Sequence, residues 1–203
     1  TSRVELGDTA QKRYGAPTLL MHRADLLTAL EGSVPPNFVH MNKKLIRLKN
    51  EGSSVILSFK DGSSFVADGV IGADGIHSIV REQLFGPEAP IFAGMSAYRS
   101  IISVQLLDGK NLNNFVKWWG PTPQSQIVMF LINRGKEFFV FATMPEVSGG
   151  IESWSKEGDI GALRSHFGKF HGDAKAVLYA CDETLQTALY ERNPLSRWSE
   201  GPI

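Results

Sequence analysis

The sequence predicts a mixed α/β protein with strongly antiparallel character: a helix and a β-meander leading to a glycine-rich strand-to-helix turn, then a mainly antiparallel sheet with flanking helices. Three observations carry this. Turn residues recur between short β-rich runs at Asn50-Glu51-Gly52 and Asp61-Gly62, as expected between antiparallel strands. The stretch "ADGVIGADGIHSIVRE" sets two Asp-Gly pairs around consecutive apolar residues and just ahead of a helix-like segment. Beyond Ile91 the texture changes to long strand-like runs.

Taken in order, "HRADLLTALEG" reads as a helix of about 10 residues, with Leu26, Leu27 and Leu30 on one face and Gly32 as a stop. From Phe38 to Gly75 the meander runs into one more strand, Gly69 to Ala73, where the adjacent Val70 and Ile71 suggest cover on both faces. Ser78 is expected to cap a helix beginning at Ile79. The later runs "MSAYRSIISVQLL", "NNFVKWWG", "QIVMFLINRG" and "KEFFVFATM" predict strands, with helices near 160–170 and 174–180 and a loop at "PTPQSQ". In "KWWG" a strand must send the two tryptophans to opposite faces. The expected domains are 1–90, 91–190 and a return segment 191–203.

Lys plus Arg and Asp plus Glu are both 21, so no basic field invites nucleic acid or an anionic membrane. The single cysteine, Cys181, excludes a disulfide framework within the chain and fits a reducing compartment, the cytoplasm by default. It reads as a small buried residue. The five histidines show no spacing suited to a metal site. No run approaches the roughly 20 apolar residues of a membrane span. The expected partner is a small molecule, with a homodimer left open.

A strand ending in Gly-Ala-Asp-Gly before a helix sets backbone amides and a carboxylate at a sheet edge, where open α/β folds bind ligands. Gly72 and Gly75, lacking Cβ, would let a ligand approach the main chain. The carboxylate of Asp74 repels phosphate, so its expected partners are hydroxyls, amides or Arg81. The alternative is structural, with Asp68-Gly69 a plain turn and Asp74-Gly75 only a strand-to-helix turn.

"DGVIGADGIHSIVRE" resembles the Asp-Gly fingerprint of the FAD-dependent aromatic monooxygenases that share the p-hydroxybenzoate hydroxylase fold. "MHRADLLTAL", "GMSAYRS" and "ERNPLSRWSEGPI" follow the same resemblance in order, and within the family the likeness is to the salicylate hydroxylase and 6-hydroxynicotinate 3-monooxygenase groups. The resemblance implies part of a Rossmann-like FAD-binding domain carrying the meander, joined to a substrate-domain sheet. Arg23 matches a flavin-contacting arginine, and a surface ion pair with Asp25 or Glu31 is its plain alternative. Leu45 matches an apolar position near the adenosine side of FAD, and Asp74 with Gly75 matches the centre of the fingerprint.

By the same resemblance, NADH or NADPH reduces the FAD, oxygen is trapped as a flavin C4a-hydroperoxide, and an electron-rich aromatic or N-heteroaromatic acid or phenol is hydroxylated. Tyr98, Arg99, Trp118, Gln126 and Met129 are the residues expected to line or support the substrate platform, with burial in the sheet core as the simpler alternative for each. Around "VKWWGPTPQSQIVMFLI" the hydroxynicotinate group carries a His and a Tyr where this chain has Ser125 or Gln126 and Met129 or Phe130, which cannot do the same acid–base work. No residue is assigned to catalysis. The family's N-terminal Gly-x-Gly-x-x-Gly turn and C-terminal Gly-Asp motif are not in the sequence, so the chain by itself is expected not to retain FAD. A binding domain without catalysis, or a related flavin halogenase or reductase, would share the fingerprint.

Overall fold

A computed structural model describes residues 7–110, 115–147, 149–150 and 152–203. These fall into two compact units. One, the sheet unit, comprises Thr1–Ser33, Ser96–Glu146 and Ser153–Thr187; the other, the meander unit, comprises Val34–Met95, Val147–Glu152 and Ala188–Ile203.

The chain opens with two short helices, α1 (Asp8–Tyr14) and α2 (Arg23–Glu31). His22 starts α2 by accepting the Ala24 amide on Nδ1 at 3.2 Å. The leucine stripe that predicts this helix is present, yet none of its residues is buried, and Leu26, Leu27 and Leu30 remain exposed. Gly32 ends the helix in a right-handed conformation, so its lack of a side chain is not what the turn requires.

In the meander unit, β1 (Leu45–Asn50), β2 (Val55–Phe59) and β3 (Ser64–Ala67) pair antiparallel in the order β1-β2-β3. The turns form as their residues dictate. Gly52 takes φ +87° and donates its amide to Asn50 Oδ1 at 2.8 Å. Gly62 takes φ +84°, and Asp61 accepts from Lys43 Nζ at 2.6 Å and the Ser63 amide at 3.0 Å. The hydrogen bond from Lys43, then those from Ser63, hold the Asp61 carboxyl far below its usual range. The core is Leu48, Val55, Val80 and Ile203, with Leu45, Leu57, Val70 and Leu84 packed against it.

Helix α3 (Ile79–Phe85) docks on β1 through a side chain rather than through apolar packing alone. Strand β1 has a register break between Leu45 and Arg47. There Gln83 accepts the Leu48 amide at 2.8 Å and donates to the Ile46 carbonyl at 3.1 Å, taking the place of a neighbouring strand. Gln83→Leu keeps the volume and strands both backbone groups, so it is expected to lower stability by about 1–3 kcal/mol. Chemical denaturation of the variant checks this.

The segment 69–73 differs from the expected doubly covered strand. No strand is assigned there, Val70 is half-buried, and Ile71 is almost fully exposed. Two consecutive apolar residues imply cover on both faces only if layers exist on both sides. Among the described residues the backbone here is held by one bond, from the Val70 amide to the Pro202 carbonyl at 2.9 Å.

The second sheet has the order β5-β6-β7-β4-β8, from β4 (Ile91–Ser103), β5 (Val116–Trp119), β6 (Gln126–Ile132), β7 (Glu137–Pro145) and β8 (Leu185–Glu191). The expected run from Asn113 begins with two residues outside the described set. In β6, Ile127 and Met129 turn to one face and Gln126, Val128 and Phe130 to the other, by the two-residue period of a strand. Helices α4 (Ile160–His166) and α5 (Gly172–Tyr179) cover the first face. Tyr98, Ile127, Met129, Phe138, Val140, Leu163, Phe167 and Val177 form the core between them. Cys181 is buried in this layer and donates to the Val177 carbonyl at 3.3 Å.

Candidate functional site

The meander unit carries a cleft of about 190 Å³ where the Asp-Gly turn meets helix α3 and the return segment. Asp74 and Gly75 form one wall, Arg81 and Phe85 another, and Trp198 and Ile203 close it from the C-terminal side. Gly75 sits at φ +79°, a left-handed conformation that glycine adopts freely, and no atom lies within 4 Å of where its Cβ would be. Gly72 is explained differently. A Cβ there would stand 2.8 Å from Val80 Cγ1, so this glycine serves close packing of the segment on α3, and it also lines the cleft.

The Asp74 carboxylate is turned onto the start of α3. It accepts from the Ile79 amide at 2.7 Å, the Val80 amide at 3.2 Å and the Ser78 hydroxyl at 2.5 Å. Ser78 in turn accepts the Arg81 amide at 2.9 Å as the expected cap. Partial burial works to raise the Asp74 pKa, but the hydrogen bonds from Ser78, Val80 and Ile79 outweigh it and hold the carboxyl below its ordinary value. The expected hydroxyl and amide partners are thus found within the chain. Asp68, ascribed to the preceding turn, follows the end of β3.

A polar network that sequence reasoning missed braces this turn. Arg192 Nε donates to the Ile76 carbonyl at 2.5 Å, and its Nη1 donates to the Glu88 carbonyl. Glu88 also accepts from Asn193 Nδ2 at 2.9 Å and from Arg81 Nη2 at 2.6 Å, and Arg81 reaches the Asn193 carbonyl at 2.8 Å. The bonds from Asn193 and Arg81 hold the Glu88 carboxyl below its usual range. The available signal was the concentration of Arg and Asn in "ERNPLSRW", which composition alone does not connect to residues 74–88.

Of the four residues expected to bind a cofactor, the cleft takes Asp74 and Gly75. Leu45 lies in the same unit, packed against its apolar core and outside the cleft lining. Arg23 opens α2 in the sheet unit, where it is exposed. The four residues expected at the substrate platform separate by face. Tyr98 and Met129 are buried in the core against the helices, and Trp118 packs on the same cluster. Strand alternation turns these three inward, the supporting side of the expectation, and Trp119 outward. Gln126 alone belongs to the opposite face, where its Oε1 is buried without a partner among the described residues.

That opposite face is aromatic. Phe130 stacks on Phe115 with centroids 5.6 Å apart and tilts against Phe139 at 5.2 Å, while Lys117 Nζ stands 3.7 Å from the exposed Trp119 ring. Arg99 donates to Thr187 Oγ1 at 2.5 Å and lies under the Trp154 ring at 4.4 Å. Burial lowers its pKa. Ser125 Oγ and His166 Nε2 are 2.9 Å apart, but Ser125 is buried, and the pair locks the 122–125 turn instead of offering a nucleophile. Burial also lowers the His166 pKa, favouring the neutral ring. Among the described residues no group of three or more His, Cys, Asp or Glu could hold a metal ion, and no helix is long and apolar enough to cross a membrane.

No family model matches the chain. Across its whole length it is 33% identical to a 6-hydroxynicotinate 3-monooxygenase of Bordetella bronchiseptica, covering 53% of that protein. It is also 31% identical to a 3-amino-4-hydroxybenzoate 2-monooxygenase of Streptomyces cremeus, covering 50%. The chain is a relative of aromatic-ring monooxygenases. It spans about half the length of these curated monooxygenase relatives. Its fold is that of a salicylate hydroxylase substrate complex, with a TM-score of 0.76 over 89% of this chain and 48% of the other at 24% identity. A variant of Klebsiella pneumoniae HpxO complexed with FAD matches at 0.75 over 96% of this chain and 50% of the other at 21% identity. The mixed α/β class with antiparallel sheets, expected from sequence, is what these two solved structures share with it.

Proposed function

We propose that this chain is part of an FAD-dependent monooxygenase that hydroxylates an aromatic or N-heteroaromatic acid or phenol, with NADH or NADPH as reductant. The observation that carries the reading is the Asp74-Gly75 turn: a glycine at φ +79° with open space at its Cβ position, at the rim of a cleft in a chain whose relatives are aromatic monooxygenases. The cleft's lining suits one end of a flavin nucleotide, since Gly72, Gly75, Arg81, Phe85 and Trp198 are all on its walls, the Arg81 guanidinium itself being engaged by Glu88 and the Asn193 carbonyl. At about 190 Å³ it holds a part of such a ligand, because sites for whole drug-sized molecules run to about 300–1,000 Å³.

Asp74, Gly75, Leu45 and Arg23 are the residues we assign to the flavin. When bound, FAD would accept a hydride from the nicotinamide and activate oxygen for transfer to the ring. Asp74, committed to α3, acts by shaping the turn and not by direct contact through its carboxylate. For the substrate we assign the aromatic face of the second sheet, with Gln126 on it and Tyr98, Trp118 and Met129 supporting it from the core side. Such a face holds a flat ring by stacking. We place the flavin-binding part in 1–90, the substrate part in 91–190 and the return in 191–203, and the enzyme in the cytoplasm.

Oxygen-dependent NAD(P)H consumption by the full-length protein, measured against a panel of aromatic acids, tests this. Hydroxylated product is the expected result. Flavin binding without any such consumption would leave a binding protein. In the same protein Arg23→Ala is expected to weaken FAD binding by roughly ten- to a hundredfold, the worth of a charge-assisted hydrogen bond. Arg99→Ala, acting at the Thr187 and Trp154 contacts, should leave FAD affinity unchanged; equal flavin affinities of the two variants would remove Arg23 from the site.

A further inference from the structure

We infer that Arg192 is a positioning residue for the Asp-Gly turn, fixing from the return segment the backbone conformation that residues 74–78 present to the flavin. The inference rests on the reading of the cleft as part of a flavin site. Three observations support it. Gly75 has no side chain and lies at φ +79°, so nothing in its own covalent structure holds it there; a glycine samples both signs of φ with similar ease. The turn therefore needs an external restraint.

Asp74 anchors one end through the Ile79 and Val80 amides. The Ser78 amide donates to the Gly75 carbonyl at 3.1 Å and closes the turn. The next carbonyl, that of Ile76, is taken by Arg192 Nε at 2.5 Å. The same guanidinium bonds the Glu88 carbonyl just beyond α3 and stands 3.7 Å from the Glu88 carboxylate. Arg192 thus ties the two ends of α3 to one planar group, and its side chain is only 14% exposed.

A forked guanidinium can bond two carbonyls in fixed directions at once, whereas an ammonium is a compact point charge that loses the geometry. The conservative Arg192→Lys variant therefore keeps the charge and removes the brace. Its consequence should be local: the turn loosens, Asp74 leaves the first amides of α3 more often, and the rim of the cleft loses its single conformation.

The test uses the full-length protein in two measurements. Hydrogen exchange of the flavin-free form should show the Ile79 and Val80 amides of Arg192→Lys exchanging about tenfold faster than in the wild type, with the amides of β2 unchanged. Flavin fluorescence should show the FAD dissociation constant raised about tenfold in the same variant. Unchanged exchange at Ile79 and Val80, or an equal rise throughout β2, overturns the inference, since a merely structural loss moves all amides together. An Asp74→Asn variant measured in parallel separates the two readings. If it weakens FAD binding and Arg192→Lys does not, the positioning role is wrong and the flavin site stands; if neither weakens it, the flavin reading fails and takes the positioning role with it.

Discussion

Asp74→Ala is expected to lower stability by about 1–2 kcal/mol, comparable to losing a side-chain acceptor for the first amides of a helix, and to weaken flavin binding in the full-length protein as well. The structure joins them, because the carboxylate that marks the fingerprint is also the group that receives the Ile79 and Val80 amides and the Ser78 hydroxyl. The pH dependence follows. The folded-state pKa of Asp74 is depressed, so its contribution is fully present above its ordinary value of 3.8 and is lost as pH falls through the lower folded value. The wild type should therefore lose this increment only below about pH 4, while Asp74→Ala lacks it at every pH. Thermal melts of both proteins from pH 7 to pH 3 check this; coincident curves for the two across that range would show that the Asp74 carboxylate contributes nothing.

The other large effect concerns the two glycines of the turn, which the sequence treats alike. Gly72→Ala places a methyl 2.8 Å from Val80 Cγ1 and 2.9 Å from Val80 Cβ, inside the packing of α3, and is expected to cost about 1–3 kcal/mol as overpacking. Gly75→Ala meets no atom and strains only the backbone at φ +79°, costing about 1–2 kcal/mol. Their flavin affinities should diverge in the opposite sense. Gly75→Val, with a branched Cβ at the rim of the cleft, should impair flavin binding far more than its stability loss explains. Denaturation midpoints and FAD titrations of the three variants give the comparison, and equal FAD affinity in Gly75→Val and wild type would show that no ligand approaches the turn there.

Much of the site was legible in the residues because its determinants are local. A carboxylate four residues ahead of a serine that caps a helix, with a glycine between them, specifies the turn almost by itself, and Asp74, Gly75 and Ser78 took the expected places. Gln126, Met129 and Trp118 could be named from sequence as strand residues, but not sorted by the face each would take. All lie on strands of the same sheet, and their different fates depend on which face the helices α4 and α5 cover. The strand β8 and the brace from Arg192 and Asn193 escaped notice because their partners are 100 or so residues distant, as in the Arg192 to Ile76 bond across 116 positions.

The sequence by itself determined the local alphabet of this protein: turns at Gly52 and Gly62, the N-cap at Ser78, the alternation of β6 and β7, and the charge balance. These depend on steric and hydrogen-bonding preferences that act within a few residues of each other. Only the tertiary structure decided which glycine packs and which stays open, which strand face is core, and that among the described residues the 69–73 segment is held by a bond to Pro202 and not by two neighbouring strands. Each of those is a matter of what stands beside a residue in space, and apolar burial is non-directional, so the chain's own pattern cannot name the neighbour that satisfies it.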